Sequence, residues 1–320
     1  MGPRGEWAAR CPKGEGCVTI LLEDPKRIAC LLLTTNQENE VSEEDKSNLS
    51  KMSKIIEVSP DLLYNIRAPF PVFKIFDFGS QSTLCRLSDG NYILADTVIY
   101  QPDVKARIDE ITENGTKLFA IINLHPFHTK AIPDVKQMYP NAKLYGVERH
   151  VTLYPNLQWE KERVESTEFR ELPWVKQDFE LSVPRGLYLE VPGSTTVHAS
   201  SVLMFHKPSR TLLVDDTFGY LSQVPWLAKL FGYRNDHFYI HPTVTQALLP
   251  SATSGAEFMA WAEQIANEWP IENVCAAHNG VLLKNQNQGK PSVHDRIIDR
   301  VNAWKPNLEA HDRKYAVTRG

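Results

Sequence analysis

Histidine and aspartate are the side chains here that could hold a metal ion or move a proton, and ten histidines are spread along the 320 residues. Two of them stand close together in Asn123-Leu124-His125-Pro126-Phe127-His128. This stretch follows an apolar run, Leu118-Phe119-Ala120-Ile121-Ile122, that reads as a short buried strand. Pro126 cannot donate to a sheet ladder and biases His125 away from helix, so both histidines fall on the loop leaving the strand. Two imidazoles delivered at one strand exit make half of a metal site; alone, such a pair serves equally well as loop histidines at a helix end. Further candidates sit at other strand ends. Asp96 closes Leu94-Ala95, Asp216 closes Leu212-Leu213-Val214-Asp215, His278 follows Asn273-Val274-Cys275-Ala276, and His198 precedes Ser201-Val202-Leu203-Met204-Phe205. Ligands recruited from several strand ends on one rim are how rigid scaffolds build metal or catalytic sites. Imidazoles with a bridging carboxylate suit zinc ahead of iron or manganese.

Residues 1–51 differ from the rest of the chain. They carry the polar, acidic run Asn36-Gln37-Glu38-Asn39-Glu40-Val41-Ser42-Glu43-Glu44-Asp45-Lys46, which buries too little apolar surface to offset the entropy of ordering it. They are expected to form a partly disordered extension ahead of one domain over 52–320. From Ile55 the pattern is β-rich. Ser88-Asp89-Gly90-Asn91 between two apolar runs predicts a hairpin. Val104, Ile108 and Ile111 recur at helical spacing, with Gly115 beyond them. The 118–122 strand, a helix over 134–139 and a strand at Lys143-Leu144-Tyr145-Gly146 complete a first half. The second half repeats the theme with strands at 187–191, 201–205 and 211–214, then a helix over 224–231. A long helix over 257–268 follows the capping-box string Ser254-Gly255-Ala256-Glu257; its Phe258, Trp261, Ala262, Ile265 and Trp269 form a core-facing stripe. A strand at 273–276 and a C-terminal helix over 293–304 close the chain. Two β-then-α halves predict an α+β fold, sheet packed on sheet with helices outside both, in four layers αββα.

Apolar residues at 42% and charged residues at 23% place the chain among soluble globular enzymes acting on small molecules. A net charge of −4 leaves no basic footprint, which argues against nucleic acid as the partner. The N-terminal apolar runs, Val18-Thr19-Ile20-Leu21-Leu22 and Ile28-Ala29-Cys30-Leu31-Leu32-Leu33, are separated by Glu23, Asp24, Lys26 and Arg27. They are too short to cross a membrane, and no cleavage site follows them. The cysteines Cys11, Cys17, Cys30, Cys85 and Cys275 are odd in number and lack zinc-ribbon spacing, as expected of free thiols in a reducing, cytoplasmic compartment.

Taken in order, these motifs resemble the metallo-β-lactamase superfamily, in a degenerate branch, over residues 54–304. In that superfamily a strand exits into His-x-His-x-Asp-His, a Gly-His-Thr-like loop adds a histidine, a Gly-Asp adds a bridging aspartate, and a last histidine follows the C-terminal strand. Asn123-Leu124-His125-Pro126-Phe127-His128, Val197-His198-Ala199, Val214-Asp215-Asp216 and Ala277-His278-Asn279-Gly280 fall on these motifs, and Asp96 on a buried aspartate. Asn123 replaces the first histidine. Phe127 replaces the aspartate that, in the superfamily, ligates the second metal and takes protons from the attacking water. The resemblance implies His125, His198 and Asp216 around one metal position and His128, Asp216 and His278 around the other. Each set has three ligands, the number a catalytic zinc keeps beside its water. One zinc ion or none is expected. Asp216 is preferred to Asp215 from the register with Gly-Asp, and a one-residue slip exchanges them. Asp216 or an outer carboxylate would handle the proton, Asn123 would hydrogen-bond water or substrate, and Lys130 would accept a proton only if buried. Asp96 would orient a histidine or cap a helix. His150, His206, His237, His241, His294 and His311 carry no motif and read as surface or core. Tyr220, Tyr233, Tyr239, Trp226 and Phe231 read as an apolar lid or as core. The implied activity is hydrolysis of a small ester, lactone or thioester by an incomplete, mononuclear site. The alternatives are a metal-free binding or scaffold protein and a metal-dependent lyase or isomerase.

Overall fold

Residues 54–69, 71–72, 76–77, 79–222, 234–278 and 280–317 are described by a computed structural model. The 1–51 extension, the 224–231 helix and the lid residues Trp226, Phe231 and Tyr233 lie outside the described residues. Apolar runs bounded by turns become strands of two sheets. In chain order they are β1 (Lys54–Ser59), β2 (Leu63–Ala68), β3 (Pro71–Val72), β4 (Phe76–Asp77), β5 (Ser80–Arg86), β6 (Tyr92–Ala95), β7 (Leu118–Asn123) and β8 (Lys143–Gly146). They continue with β9 (Phe179–Ser182), β10 (Leu203–His206), β11 (Thr211–Val214), β12 (Phe218–Leu221), β13 (His237–Ile240), β14 (Asn273–Ala276) and β15 (Val281–Leu282). The first sheet has the order β1-β2-β5-β6-β7-β8 and the second β15-β14-β11-β10-β9; β3-β4 and β12-β13 are two-stranded ribbons. The Asp89-Gly90 hairpin joins β5 to β6, with Gly90 at φ +89°, a conformation that costs glycine little.

The strands read as unbroken apolar runs because both faces of each sheet are covered. Leu63, Cys85, Ile93 and Ile122 meet Met204, Leu213 and Cys275 between the sheets. Their chain neighbours point outward. Leu94, Ile121 and Leu144 pack on Val104, Ile108 and Val135, and Leu212, Val214 and Val274 pack on Phe258, Trp261 and Ile297. The result is the four-layer αββα arrangement.

Several elements depart from the sequence reading. Residues 187–191 make only one bridge, Leu187 to Leu248, because β9 already occupies the edge of β10. The long helix is Ser254–Glu268, so Ser254 lies inside it. Its end is capped from afar, by Asp312 accepting the Gly255 and Ala256 amides at 2.7 and 3.0 Å. The last helix, Val293–Val317, runs through Pro306; Leu308, fully buried against the Gly255 turn, holds it beyond the proline. Cys85 and Cys275 are free and buried. Among the described residues no helix is long and apolar enough to cross a membrane.

Candidate metal centre

Strand direction explains why the candidate ligands meet. β6, β7 and β8 run parallel, as do β11 and β14. The C-terminal ends of parallel strands share one rim, so Asp96, His125 and His128 leave the first sheet beside Asp215, Asp216 and His278 leaving the second. The Val202 amide, donating to the Leu124 carbonyl at 3.1 Å, ties the two exits together. Asp96 and Asp216 turn the chain with φ of +56° and +57°, a left-handed conformation that costs about 1 kcal/mol and that a short polar side chain tolerates. Asp96 Oδ1 accepts the Leu124 amide at 2.8 Å and so anchors the histidine loop. Burial, and then the charge of Asp215, push the Asp96 carboxyl well above the usual carboxylate range.

Asp216 is the hub. Its Oδ2 lies 3.1 Å from His125 Nε2, 3.3 Å from His198 Nδ1 and 3.8 Å from His128 Nε2, and its Oδ1 lies 3.2 Å from His278 Nε2. Burial raises its pKa, but attraction to His278 and His125, with a hydrogen bond from each, outweighs that and holds it well below the ordinary value. Asp215 is equally hidden and has another task. Its Oδ2 accepts from His128 Nδ1 at 2.9 Å, its Oδ1 accepts from Gln81 Nε2 at 2.9 Å, and its backbone carbonyl accepts the Ser201 hydroxyl. Burial pushes its carboxyl up and His128 more than offsets that, leaving it low. The two neighbouring aspartates therefore divide the work: Asp216 faces all four histidines, and Asp215 orients one of them.

The histidines fall into two kinds. His278 Nδ1 donates to the Gly79 carbonyl at 2.7 Å, and His128 Nδ1 donates to Asp215. Each ring thereby turns its Nε2 toward Asp216. His125 is reversed. The Phe127 amide donates to its Nδ1 at 3.1 Å, so the neutral ring carries its hydrogen on Nε2, 3.1 Å from the His198 carbonyl and from Asp216. Burial first of all lowers the His198 pKa to about 3. Burial also pushes His278 down, but Asp216 pulls it above its ordinary value. Ligand atoms of His125, His198 and Asp216 all lie within 4.8 Å of one another, and so do those of His128, Asp216 and His278. An ion with bonds of ~2.0–2.1 Å in a tetrahedron separates its donors by about 3.3–3.4 Å, against 3.2 Å from Asp216 to His278 and 3.8 Å from Asp216 to His128. The donor set fits a metal.

The remaining candidates lie outside this cluster. Asn123 is fully buried, donates to the Tyr145 carbonyl at 3.2 Å and accepts from Thr97 at 3.1 Å. Its amide joins β7 to β8 rather than facing a substrate. Lys130 is exposed. The Phe127 ring lies 5.9 Å from the His198 ring, under the Arg149 guanidinium at 4.5 Å. Tyr220 is buried and donates to Asp236 at 2.7 Å, which makes it core. His150, also buried, donates from Nε2 to the His125 carbonyl at 2.9 Å and braces the loop. His241 is the residue that sequence reasoning missed: it is buried, 5.3 Å from the His198 ring. It follows the apolar end of β13, the same strand-exit pattern as the candidate ligands, but the short β12-β13 ribbon was not anticipated.

The four layers and their strand order are set by the chain's own packing. Among solved structures the chain is similar to the metallo-β-lactamase DIM-1, at 13% identity over 83% of this chain and 99% of that one, with a TM-score of 0.49. It is similar to a metallo-β-lactamase from Pontibacter korlensis at 10% identity, covering 78% of this chain and 99% of that one, TM-score 0.48. It is similar also to FIM-1 from Pseudomonas aeruginosa in its mono-zinc form, at 10% identity over 79% and 96%, TM-score 0.48. No family model and no curated protein matches the sequence. Likeness at this level concerns the fold and says nothing of what this chain binds.

Proposed function

We propose that this metallo-β-lactamase-like chain is a mononuclear metal-dependent hydrolase of a small ester, lactone or thioester, with the ion held by His128, Asp216 and His278. One observation carries the reading: Asp216 Oδ1 stands 3.2 Å from His278 Nε2 while His278 Nδ1 donates to Gly79. A carboxylate and an imidazole nitrogen at that distance share either a proton, which Asp216 favours by raising the His278 pKa, or a metal ion that takes the proton's place. His128 repeats the pattern, with Nδ1 on Asp215 and Nε2 turned toward Asp216. Ligating histidines commonly donate their other N–H to a carboxylate or carbonyl in this way, which fixes the tautomer. A divalent ion there would supply Lewis acidity, polarising a carbonyl and lowering the pKa of water toward ~7.

The other residues support that centre. His125, with its hydrogen on Nε2, braces Asp216 Oδ2 instead of offering a lone pair. His198 holds the same oxygen from the other side. The Phe127 ring lies beside His198 and under the Arg149 guanidinium. Zinc is the ion that the nitrogen and carboxylate donors favour. Metal analysis and zinc titration of the purified full-length chain at pH 8 test the reading, with a screen of ester, lactone and thioester substrates. One equivalent is expected, lost in Asp216→Asn and His278→Ala. Less than a tenth of an equivalent of zinc, iron or manganese would leave a metal-free binding fold instead. A lyase or isomerase is the second reading, favoured by Phe127, which puts a ring under Arg149 where the resembled family carries its carboxylate base.

A further inference from the structure

We infer that His241 is a fixed N–H donor to the acyl oxygen of the substrate, which makes the site selective for carbonyl compounds whose oxygen gains negative charge during reaction. The inference deepens the hydrolase reading and rests on it for the identity of the substrate. The Thr243 backbone amide donates to His241 Nδ1 at 3.3 Å, and the Thr243 hydroxyl lies 2.9 Å from the same nitrogen. A backbone amide only donates, so Nδ1 holds the lone pair and Nε2, across the ring, carries the hydrogen. His125 and His150 have the same tautomer, and each directs its Nε2–H to a protein oxygen. His241 differs: among the described residues its Nε2 has no hydrogen-bond partner. The ring is 2% exposed and stands 5.3 Å from the His198 ring. With the Thr243 amide donating to Nδ1 the ring is neutral, and so is the donor. A neutral imidazole N–H polarises a carbonyl without adding a competing base. Removing one such preorganised donor typically lowers turnover by about 10²–10³-fold.

Two-bond 1H–15N correlation spectra of the full-length chain labelled with 15N-histidine, with and without zinc, read the tautomer directly. Acetate serves as the acyl-oxygen probe. His241 is expected to carry its hydrogen on Nε2 and to shift on acetate addition. His241→Phe should weaken acetate binding about ten-fold or more, whereas His241→Gln, which keeps an N–H donor, should stay within about three-fold. A hydrogen on Nδ1, a His241 resonance indifferent to acetate, or His241→Phe binding acetate as tightly as the parent would each overturn the inference. Zinc binding on the same sample separates the two readings. Failure to bind zinc with the tautomer and acetate shift intact removes the metal centre and leaves His241 a donor. Zinc bound with acetate indifferent to His241 does the reverse.

Discussion

Replacing Asp215 with asparagine probes how the centre is set. The carboxylate accepts from His128 Nδ1 through one oxygen and from Gln81 Nε2 through the other, both at 2.9 Å. Asparagine has the same shape, and its carbonyl still accepts from Gln81. Its NH₂ then faces His128 Nδ1. A donor there draws out the Nδ1 lone pair and moves the ring hydrogen to Nε2, the nitrogen proposed to hold the ion. The lost bond is charge-assisted and worth about 1.5–3 kcal/mol. Outer partners of ligating histidines contribute about 10–100-fold in metal affinity, or roughly 1.4–2.8 kcal/mol, the same range from an independent direction. Asp215 is 1% exposed and gives no solvent discount, whereas His128 is 25% exposed, which favours the lower half of the range. Calorimetric titration of the metal-free full-length chain with zinc is the assay, with Asp216→Asn as the ligand-loss control. Asp215→Asn is expected to raise the Kd about 10–100-fold and keep one site, while Asp216→Asn abolishes binding. An Asp215→Asn affinity within about three-fold of the parent would refute the tautomer argument. Equal loss in both variants would also refute it, since both carboxylates would then touch the ion.

Phe127→Asp places a carboxylate where the resembled family has a ligand. The zinc Kd should fall about ten-fold or more with the stoichiometry still one, because the residue-127 backbone amide continues to occupy His125 Nδ1; a stoichiometry of two in the same titration would show His125 and His198 holding an ion. His206 supplies a pH test away from the rim. Burial takes its pKa down to about 4, below the unfolded value near 6.5. The unfolded chain therefore binds the proton first as the pH falls. Stability is full above about pH 6.5 and declines toward pH 4, by on the order of 3 kcal/mol in all. In urea unfolding at pH 7 and pH 5, His206→Gln should lose about 2 kcal/mol less than the parent between those two values, and equal losses would count against the argument.

Much of the frame was legible because strands covered on both faces leave unbroken apolar runs, and these end where the chain must turn. Asp96, His125, Asp216 and His278 could be named since each follows such a run, and parallel pairing brings those ends to one rim. Residues 187–191 looked like a strand for the same local reason, yet β9 had taken the edge. Gln81 was not found, because its role depends on partners across the sandwich, and the ribbon that carries His241 has only four residues per strand.

The division is sharpest at the imidazoles. Sequence by itself determined which histidines stand at strand exits, and local spacing sets two of them: His125 takes the amide two residues on, as His241 does. Only the tertiary structure decided that His128 meets an aspartate 87 residues away and His278 a carbonyl 199 residues away. Which nitrogen of a neutral ring keeps its lone pair follows from the partner of the other nitrogen, so the Nε2 of His125 is set by a local amide, while those of His128 and His278 are set from far along the chain.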